Sequence, residues 1–220
     1  MLTTLLKQNK MAIFFVTGIG TGVGKTLASA IIAEALDADY WKPVQAGIEG
    51  TTDSQWVKDH ISNGDNRVHP ELFRLLKPAS PHIAAREEGE HISVEKICSA
   101  VPDIKRNLIV EGAGGLMVPL NETEFIADLI KPLGARVILI SRNYLGSINH
   151  SLLTANIAKQ QGLSVLGWIF NDHYLNYENE IAMWTNYPRL GSVPFTENAS
   201  AEFVATQAKV LKASLEKLLW

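Results

Sequence analysis

A glycine-rich stretch that ends in a Lys-Thr pair has the composition of a phosphate-binding loop. Residues 12–26 read AIFFVTGIGTGVGKT, and an apolar segment with helical spacing follows at 27–36. This order of strand, loop and helix directs backbone N–H groups and a helix N-terminus at an anion. Lys25 can then reach β- and γ-phosphates, and the Thr26 hydroxyl can bind Mg²⁺.

The loop is one residue longer than the usual pattern, which has four residues between the first glycine and Gly-Lys-Thr. Gly18 precedes Gly24 by five intervening residues, and Gly20 and Gly22 lie among them. A glycine-rich turn that binds nothing is the alternative. The Lys-Thr pair between a strand and a helix favours phosphate binding.

Two carboxylates have positions that suit a metal near this loop. Glu111 ends an apolar strand in IVEGAGG, as a metal-linked acid does in the Walker B arrangement, and the glycines after it allow close backbone approach. Asp53 follows the second predicted strand. It can complete Mg²⁺ coordination with Thr26 and Glu111, although a helix N-cap is the simpler interpretation of an aspartate there.

Lys42 follows an apolar pair in YWKPV, and Pro43 restricts it to an extended conformation at the strand's end. A second cation near the γ-phosphate stabilises the charge that develops in phosphoryl transfer. A solvated surface lysine is an equally good interpretation of the residue alone.

Three further strand ends carry weaker signals. Asn171 and Asp172 can hydrogen bond an adenine edge or simply mark a turn, and Pro194 by itself indicates only a loop. The segment 146–150, GSINH, opens a helix whose free N–H groups can attract a carboxylate or phosphate. Ser147 or Asn149 acting as a simple cap is the alternative.

Apolar strands that alternate with helices predict an α/β fold, a mostly parallel sheet with helices on both faces, as in P-loop NTPases. The predicted strands are 13–17, 40–44, 107–111, 136–141, 163–171 and 189–193. The predicted helices are 27–36, one opening at 53, 91–100, 125–133, 147–161, 178–186 and 199–219, while 67–90 is predicted to be loop with short helical pieces. Every polar cluster above follows a strand, so all are expected at the carboxyl edge where such folds bind ligands.

Composition limits the alternatives. The chain has 220 residues, 46% hydrophobic and 20% charged, which predicts one domain over 12–220 after a disordered extension at 1–11. A net charge of −3 without basic blocks argues against nucleic acid as the main partner, and no apolar run is long enough to span a membrane. A single cysteine, Cys98, suits a reducing compartment such as the cytoplasm. The six histidines lack metal-ligand spacing.

Taken together, these motifs resemble the dethiobiotin synthetase family, the ATP-dependent carboxylases that close the ureido ring in biotin synthesis. The resemblance covers residues 12–198 in the family's order. It rests on FVTGIGTGVGKT, KPVQAG, PASPH, VEGAGGLMVPL, LGSINHSLLTA, GWIFND and GSVPF.

The resemblance implies a role for each matching residue. Thr26, Asp53 and Glu111 would hold Mg²⁺, and Lys25 and Lys42 would stabilise the transferring phosphoryl group. Residues implied to bind ATP are Gly22, Val23, Gly24, Lys25, Thr26, Leu27, Asp53, Glu111, Gly112, Ala113, Gly114, Asn171, Asp172, Pro194, Phe195 and Thr196. Residues implied to bind the diamine or its carbamate are Thr21, which is also counted among the catalytic residues, Lys42, Ala46, Ser147, Ile148 and Asn149. The last three would act from the partner subunit of a homodimer, on the substrate's carboxylate.

The implied reaction has three steps. An amine of 7,8-diaminononanoate takes up CO₂ to form a carbamate, whose oxygen then attacks the γ-phosphate of MgATP. The second amine attacks the resulting carbamic–phosphoric anhydride, expels phosphate and closes the cyclic urea.

Two positions depart from the family's pattern. Ala46 stands where the family usually has Ser or Thr, and a lost hydrogen bond of that kind is worth about 1 kcal/mol, so weakened activity is expected. Gly22 stands where many members have an acidic residue.

Two other classes of protein share the loop. Partitioning or division-site ATPases, which act as partner-binding switches, carry a lysine at the position of Gly20 and need a basic patch or a membrane helix. The last predicted helix has mixed charges, which favours docking on the fold over membrane anchoring. Amide-forming ligases of the cobyrinate-amidating type need a glutaminase domain with a catalytic cysteine, for which the chain is too short.

Overall fold

A parallel sheet of seven strands forms the centre of the molecule. The computed structural model describes residues 11–172 and 174–219, and the predicted extension at 1–11 lies outside this part except for Met11. The strands are β1 Ile13–Gly18, β2 Asp39–Trp41, β3 Val44–Ala46, β4 Val68–His69, β5 Phe73–Leu75, β6 Leu108–Gly115, β7 Arg136–Arg142, β8 Val165–Asn171 and β9 Arg189–Val193. The large sheet has the order β4-β2-β6-β1-β7-β8-β9, and β3 pairs with β5 in a small parallel sheet.

Helices cover both faces of the large sheet. They are α1 Lys25–Leu36, α2 Asp53–His60, α3 Pro81–Glu87, α4 Val94–Ser99, α5 Ile126–Ile130, α6 Ser147–Gln160, α7 Glu178–Thr185 and α8 Ala201–Glu216, with 3-10 turns at Gly64–Asn66 and Lys217–Leu219. Side chains alternate across β1: Phe14 and Val16 pack with α1 and α8 on one face, while Phe15 packs on the other. The predicted α/β fold with helices on both faces is confirmed.

Parallel pairing brings the carboxyl ends of β1, β2, β6 and β8 to one edge of the large sheet. Val16 of β1 lies beside Glu111 of β6, and Trp41 of β2 lies beside Val110. On the other side of β1, β7 connects to β8, whose last residue Asn171 lies beside Arg142 and Val193. The loops after β1, β2, β6 and β8 therefore share one edge of the sheet.

The single strand predicted at 40–44 is wrong. The structure has two short strands, β2 and β3, in different sheets, with Lys42 and Pro43 between them. Proline has no N–H to continue the ladder. The Pro43 carbonyl instead accepts hydrogen bonds from the N–H groups of Leu72 and Phe73, where the small sheet begins.

The loop predicted at 67–90 contains two strands, β4 and β5, as well as helix α3. Strands of two or three residues are too short to show a period in the sequence. In α8, the buried face consists of Val204, Ala208, Leu211 and Leu215. Val210, which the sequence places with the apolar side, is 65% exposed.

Among the described residues, no helix has both the length and the apolar character that are required to cross a membrane.

Candidate active site

An open cavity of about 880 Å³ lies at the carboxyl ends of β1, β2 and β6. The predicted site residues that line it are Thr21, Gly22, Gly24, Lys25, Thr26, Leu27, Lys42, Ala46, Asp53, Glu111, Ala113 and Gly114. Residues from five separate segments of the chain thus surround one space, large enough for a nucleotide and a small substrate.

The glycine-rich loop closes one end of the cavity. Gly22 and Gly24 have φ values of 72° and 85°, in the left-handed region that glycine adopts without strain. The Lys25 ammonium is buried and donates to the Gly20 carbonyl at 2.8 Å. Burial, with a smaller contribution from the charge of Lys42, lowers the pKa of Lys25 to about 8 against the opposing effect of the Glu111 and Asp53 carboxylates.

Glu111 is the centre of a buried network below the loop. Its Oε1 accepts from the Thr26 hydroxyl and from the Lys42 ammonium, each at 3.0 Å. Its Oε2 accepts from the Tyr40 hydroxyl at 3.0 Å. The Lys42 ammonium also pairs with the Asp53 carboxylate. The three residues assigned to metal binding therefore lie around Lys42.

The charges of this network set the protonation of its members. Burial lowers the pKa of Lys42, but the carboxylates of Glu111 and Asp53 outweigh it and raise the pKa above its ordinary value. Burial, together with the charge of Glu111, raises the pKa of Tyr40 well above 10. Lys42 is a cation and Tyr40 a neutral donor at neutral pH.

The oxygen atoms of Thr26, Asp53 and Glu111 fit Mg²⁺, which prefers oxygen ligands and keeps several from water or phosphate. No group of three or more His, Cys, Asp and Glu side chains suited to a metal occurs within residues 11–172 and 174–219. Two carboxylates and a hydroxyl leave room for phosphate and water ligands. In the absence of these, the Lys42 ammonium balances the two carboxylates.

Asp53 is held at the start of α2 by neighbours that the sequence analysis did not single out. The helix N-cap is Thr52, whose hydroxyl accepts from the Gln55 N–H, so the N-cap interpretation of Asp53 is wrong. The buried side chain of Gln45 accepts from the Asp53 N–H at 3.3 Å and donates to the carbonyls of Ala46 and Gly47. Gln45 thereby connects the end of β3 to the start of α2.

Asn171 reaches the phosphate loop from β8. Its amide nitrogen donates to the Val23 carbonyl at 2.6 Å and to the Gly24 carbonyl at 3.3 Å. Its Oδ1 is buried and has no hydrogen-bond partner among the described residues. This oxygen can accept a hydrogen bond from an exocyclic amine such as that of adenine.

Asn171 and the remaining residues assigned to the nucleotide lie outside the cavity lining. Val23 and Gly112 are buried, Val23 in the core beneath the loop and Gly112 packed against Phe15, so they offer only backbone. Asp172 pairs with Arg142, and Phe195 is 60% exposed. Pro194 and Thr196 are half-buried beside Phe195, after β9.

In the part of the chain that is described, the start of α6 does not line the cavity. Gly146 is the N-cap and has no side-chain cap, so the predicted capping by Ser147 or Asn149 is wrong. Ser147 is fully buried, and its hydroxyl pairs with the Tyr177 hydroxyl at 2.6 Å. Asn149 is exposed and Ile148 half-buried.

Several residues that line the cavity escaped the sequence analysis, among them Gln45, Thr51, Trp56, Pro78 and Ser80. Gln45, Pro78 and Ser80 lie inside the motifs KPVQAG and PASPH, so the motifs held the signal. Nothing in the sequence marks Trp56, which stacks on His60 with 4.0 Å between ring centroids.

Comparisons with known proteins agree with this geometry. A family model described as an AAA domain matches residues 13–202. The ATP-dependent dethiobiotin synthetase of Cytophaga hutchinsonii is 48% identical over 198 residues, covering 89% of this chain and 94% of that protein. Those of Christiangramia forsetii and Rhodopseudomonas palustris strain HaA2 are 51% and 44% identical, over 72% and 85% of this chain and 75% and 87% of their own lengths.

Solved structures resemble the fold at low sequence identity. The MinD cell division protein of Aquifex aeolicus aligns with a TM-score of 0.60 at 16% identity, covering 94% of this chain and 97% of that one. A ParA family ATPase from Chlorobium tepidum TLS aligns with a TM-score of 0.53 at 15% identity, covering 96% of each chain. At these identities the likeness shows the fold alone.

Proposed function

Because the chain belongs to the dethiobiotin synthetase family, it is an ATP-dependent ligase of biotin biosynthesis, and we propose that the cavity between β1, β2 and β6 is its active site. This assignment rests on one observation, that a single cavity is lined by Lys25, Lys42, Asp53 and Glu111. Two lysines next to two carboxylates suit transfer of a phosphoryl group from a metal-bound triphosphate.

Residues 22–27 are proposed to bind the triphosphate, with Thr26, Asp53 and Glu111 holding Mg²⁺. The ion, when bound, neutralises charge on the β- and γ-phosphates. The Lys25 ammonium lies where the loop closes around the phosphates, and its low pKa reflects burial that a phosphate would offset. Ala113 and Gly114 supply backbone at the cavity wall, where Gly114 has a φ of 65°, and Gly112 lies just outside the lining.

Lys42 is proposed to exchange partners during the reaction. Without ligands its ammonium neutralises Asp53 and Glu111. Asp53 and Glu111 would hold a divalent cation, and the Lys42 ammonium would then contact the γ-phosphate and the attacking carbamate oxygen. Lys42 can then stabilise negative charge as it passes from carbamate to phosphate.

The diamine is proposed to bind beside Thr21 and Ala46, in the part of the cavity opened by the loop after β3. The carbamate formed there attacks the γ-phosphate, and the second amine closes the ring with release of phosphate. Ala46 supplies no hydroxyl, but the hydroxyl-bearing residues Thr51 and Ser80 line the same cavity. Either residue can take the hydrogen bond that Ala46 lacks.

The adenine is proposed to bind between Asn171 and the segment 194–196, with Asp172 beside it. The unpartnered, buried Oδ1 of Asn171 supports this, because a buried acceptor without a donor is unfavourable until a ligand supplies one.

A homodimer is proposed, with Ser147, Ile148 and Asn149 of one subunit binding the carboxylate of the substrate in the other. In support, Leu145 and Leu153 flank this helix start and are 85% and 55% exposed, an apolar surface that a second copy would cover. We further propose that residues 12–220 form one catalytic domain and that the enzyme is cytoplasmic, which suits its single cysteine.

The test of function is a purified reaction with MgATP, bicarbonate and 7,8-diaminononanoate, with products identified by mass spectrometry. We expect dethiobiotin, ADP and phosphate in equal amounts. Hydrolysis of ATP at a rate that does not depend on the diamine, with no dethiobiotin formed, would refute the proposal and favour a switch ATPase.

A further inference from the structure

Tyr40 lies directly beneath the proposed metal site. It is in β2, beside Ile109 of β6, and its side chain is completely buried. Its hydroxyl donates to Oε2 of Glu111 at 3.0 Å. Glu111 is itself only 1% exposed, so no bulk water competes for this oxygen.

The two oxygens of Glu111 face different surroundings. Oε1 accepts from Thr26 and Lys42, which both line the cavity. Oε2 is directed toward the interior, where the Tyr40 hydroxyl holds it. A cation that enters from the cavity meets Oε1 first and can reach Oε2 only by sharing it with the tyrosine proton.

Divalent cations differ in how they use a carboxylate. Mg²⁺ requires near-octahedral geometry at about 2.1 Å, whereas Ca²⁺ takes 6–8 ligands and readily accepts both oxygens of one carboxylate. A carboxylate that offers only one of its oxygens to the metal therefore suits Mg²⁺ better than Ca²⁺.

We propose that Tyr40 is a positioning residue that limits Glu111 to coordination through one oxygen and so favours Mg²⁺ over Ca²⁺. This inference rests on the magnesium role proposed above. It adds a determinant of metal choice that lies outside the metal ligands themselves.

The test compares Tyr40→Phe with the wild-type enzyme. A non-hydrolysable ATP analogue is titrated calorimetrically into each protein at saturating Mg²⁺ or Ca²⁺, and the ratio of the two dissociation constants gives the metal preference. We expect the wild type to bind the analogue more tightly with Mg²⁺, and Tyr40→Phe to reduce that preference about tenfold, a typical effect of residues that orient metal ligands.

Thr185→Val is the matched control. The Thr185 hydroxyl is also buried, accepting from the Trp168 indole at 3.0 Å and donating to the Ile181 carbonyl at 2.7 Å, but it lies in α7 away from the cavity. We expect the control to lower thermal stability and leave the metal preference unchanged.

An unchanged preference in Tyr40→Phe would overturn the inference. A wild type that shows no preference for Mg²⁺ would overturn it without any variant, including the case in which Tyr40→Phe does not fold. Dethiobiotin formation by the same wild-type preparation is measured in parallel, because its absence would refute the proposed function itself.

Discussion

Single residues of this site act mainly through charge and burial. Lys42 and Glu111 are buried and Asp53 is partly exposed, and in this cluster one cation pairs with two anions. In the proposed reaction, a metal ion would take the place of the Lys42 ammonium beside these two carboxylates.

Lys42→Met tests this exchange. We expect almost complete loss of dethiobiotin formation with MgATP still bound, because the transferring phosphoryl group loses a cation. Removing one partner of a buried ion pair also destabilises a fold by about 3 kcal/mol, which added Mg²⁺ should partly restore. The measurements are turnover, nucleotide titration and thermal unfolding with and without Mg²⁺.

Lys58→Met is the control for that variant, since Lys58 is an exposed lysine of α2 whose ion pair within the described part of the chain is with Asp65. It should keep its turnover and show no rescue of stability by Mg²⁺. Wild-type turnover in Lys42→Met would remove Lys42 from the chemistry.

The pKa of about 8 for Lys25 predicts how nucleotide binding depends on pH. The free protein loses the Lys25 proton above pH 8, whereas a bound phosphate holds it, so binding takes up a proton and weakens as pH rises. Between pH 7 and pH 9 the dissociation constant of the non-hydrolysable analogue should rise about tenfold. Lys25→Arg stays charged and should remove this dependence, which calorimetry in two buffers can measure.

At the scale of elements, the end of β8 closely approaches the loop before α1. Gly24 has a φ of 85°, and a Cβ there would overlap the amide of Asn171. The amide nitrogen of Asn171 also donates to the backbone carbonyls of Val23 and Gly24. The loop shape thus depends on a strand that lies far away in the chain.

Gly24→Ala should therefore disturb both elements. A left-handed alanine costs about 1 kcal/mol, and displacement of Asn171 adds to this and opens the nucleotide site. Gly134→Ala is the matched control, because Gly134 also has a positive φ, 61°, but has open space around it. We expect a similar backbone penalty in chemical denaturation of both variants, and loss of nucleotide binding in Gly24→Ala alone; retained binding would contradict the role of this contact.

At the scale of the whole molecule, the start of α6 lies outside the lining of the cavity. Its residues 147–149 belong to a carboxylate site only if a second copy brings them there. The exposed Leu145 and Leu153 beside them are the surface that such a copy would cover.

Subunit mixing tests this arrangement. Lys42→Met and Asn149→Asp are each expected to be inactive as homodimers, the second because its charge repels the substrate's carboxylate. A mixed dimer of the two carries one intact site, so equal mixing should restore about a quarter of wild-type activity. No recovery after confirmed exchange of subunits would place the carboxylate site within one subunit.

The sequence by itself determined the fold class, and it supplied the predictions of a phosphate-binding loop and of two metal-binding carboxylates. These depend on local patterns, such as apolar strands that alternate with helices and glycines before a Lys-Thr pair. Such patterns can be read from residues that are close together in the chain. Only the tertiary structure decided what surrounds them. The pairing of Lys42 with both carboxylates, the hold of Tyr40 on Glu111 and the contact of Asn171 with Gly24 join residues that are 11 to 147 positions apart. The periodicity of the sequence does not predict such contacts, because they form only when parallel strands bring their carboxyl ends together at one edge of the sheet.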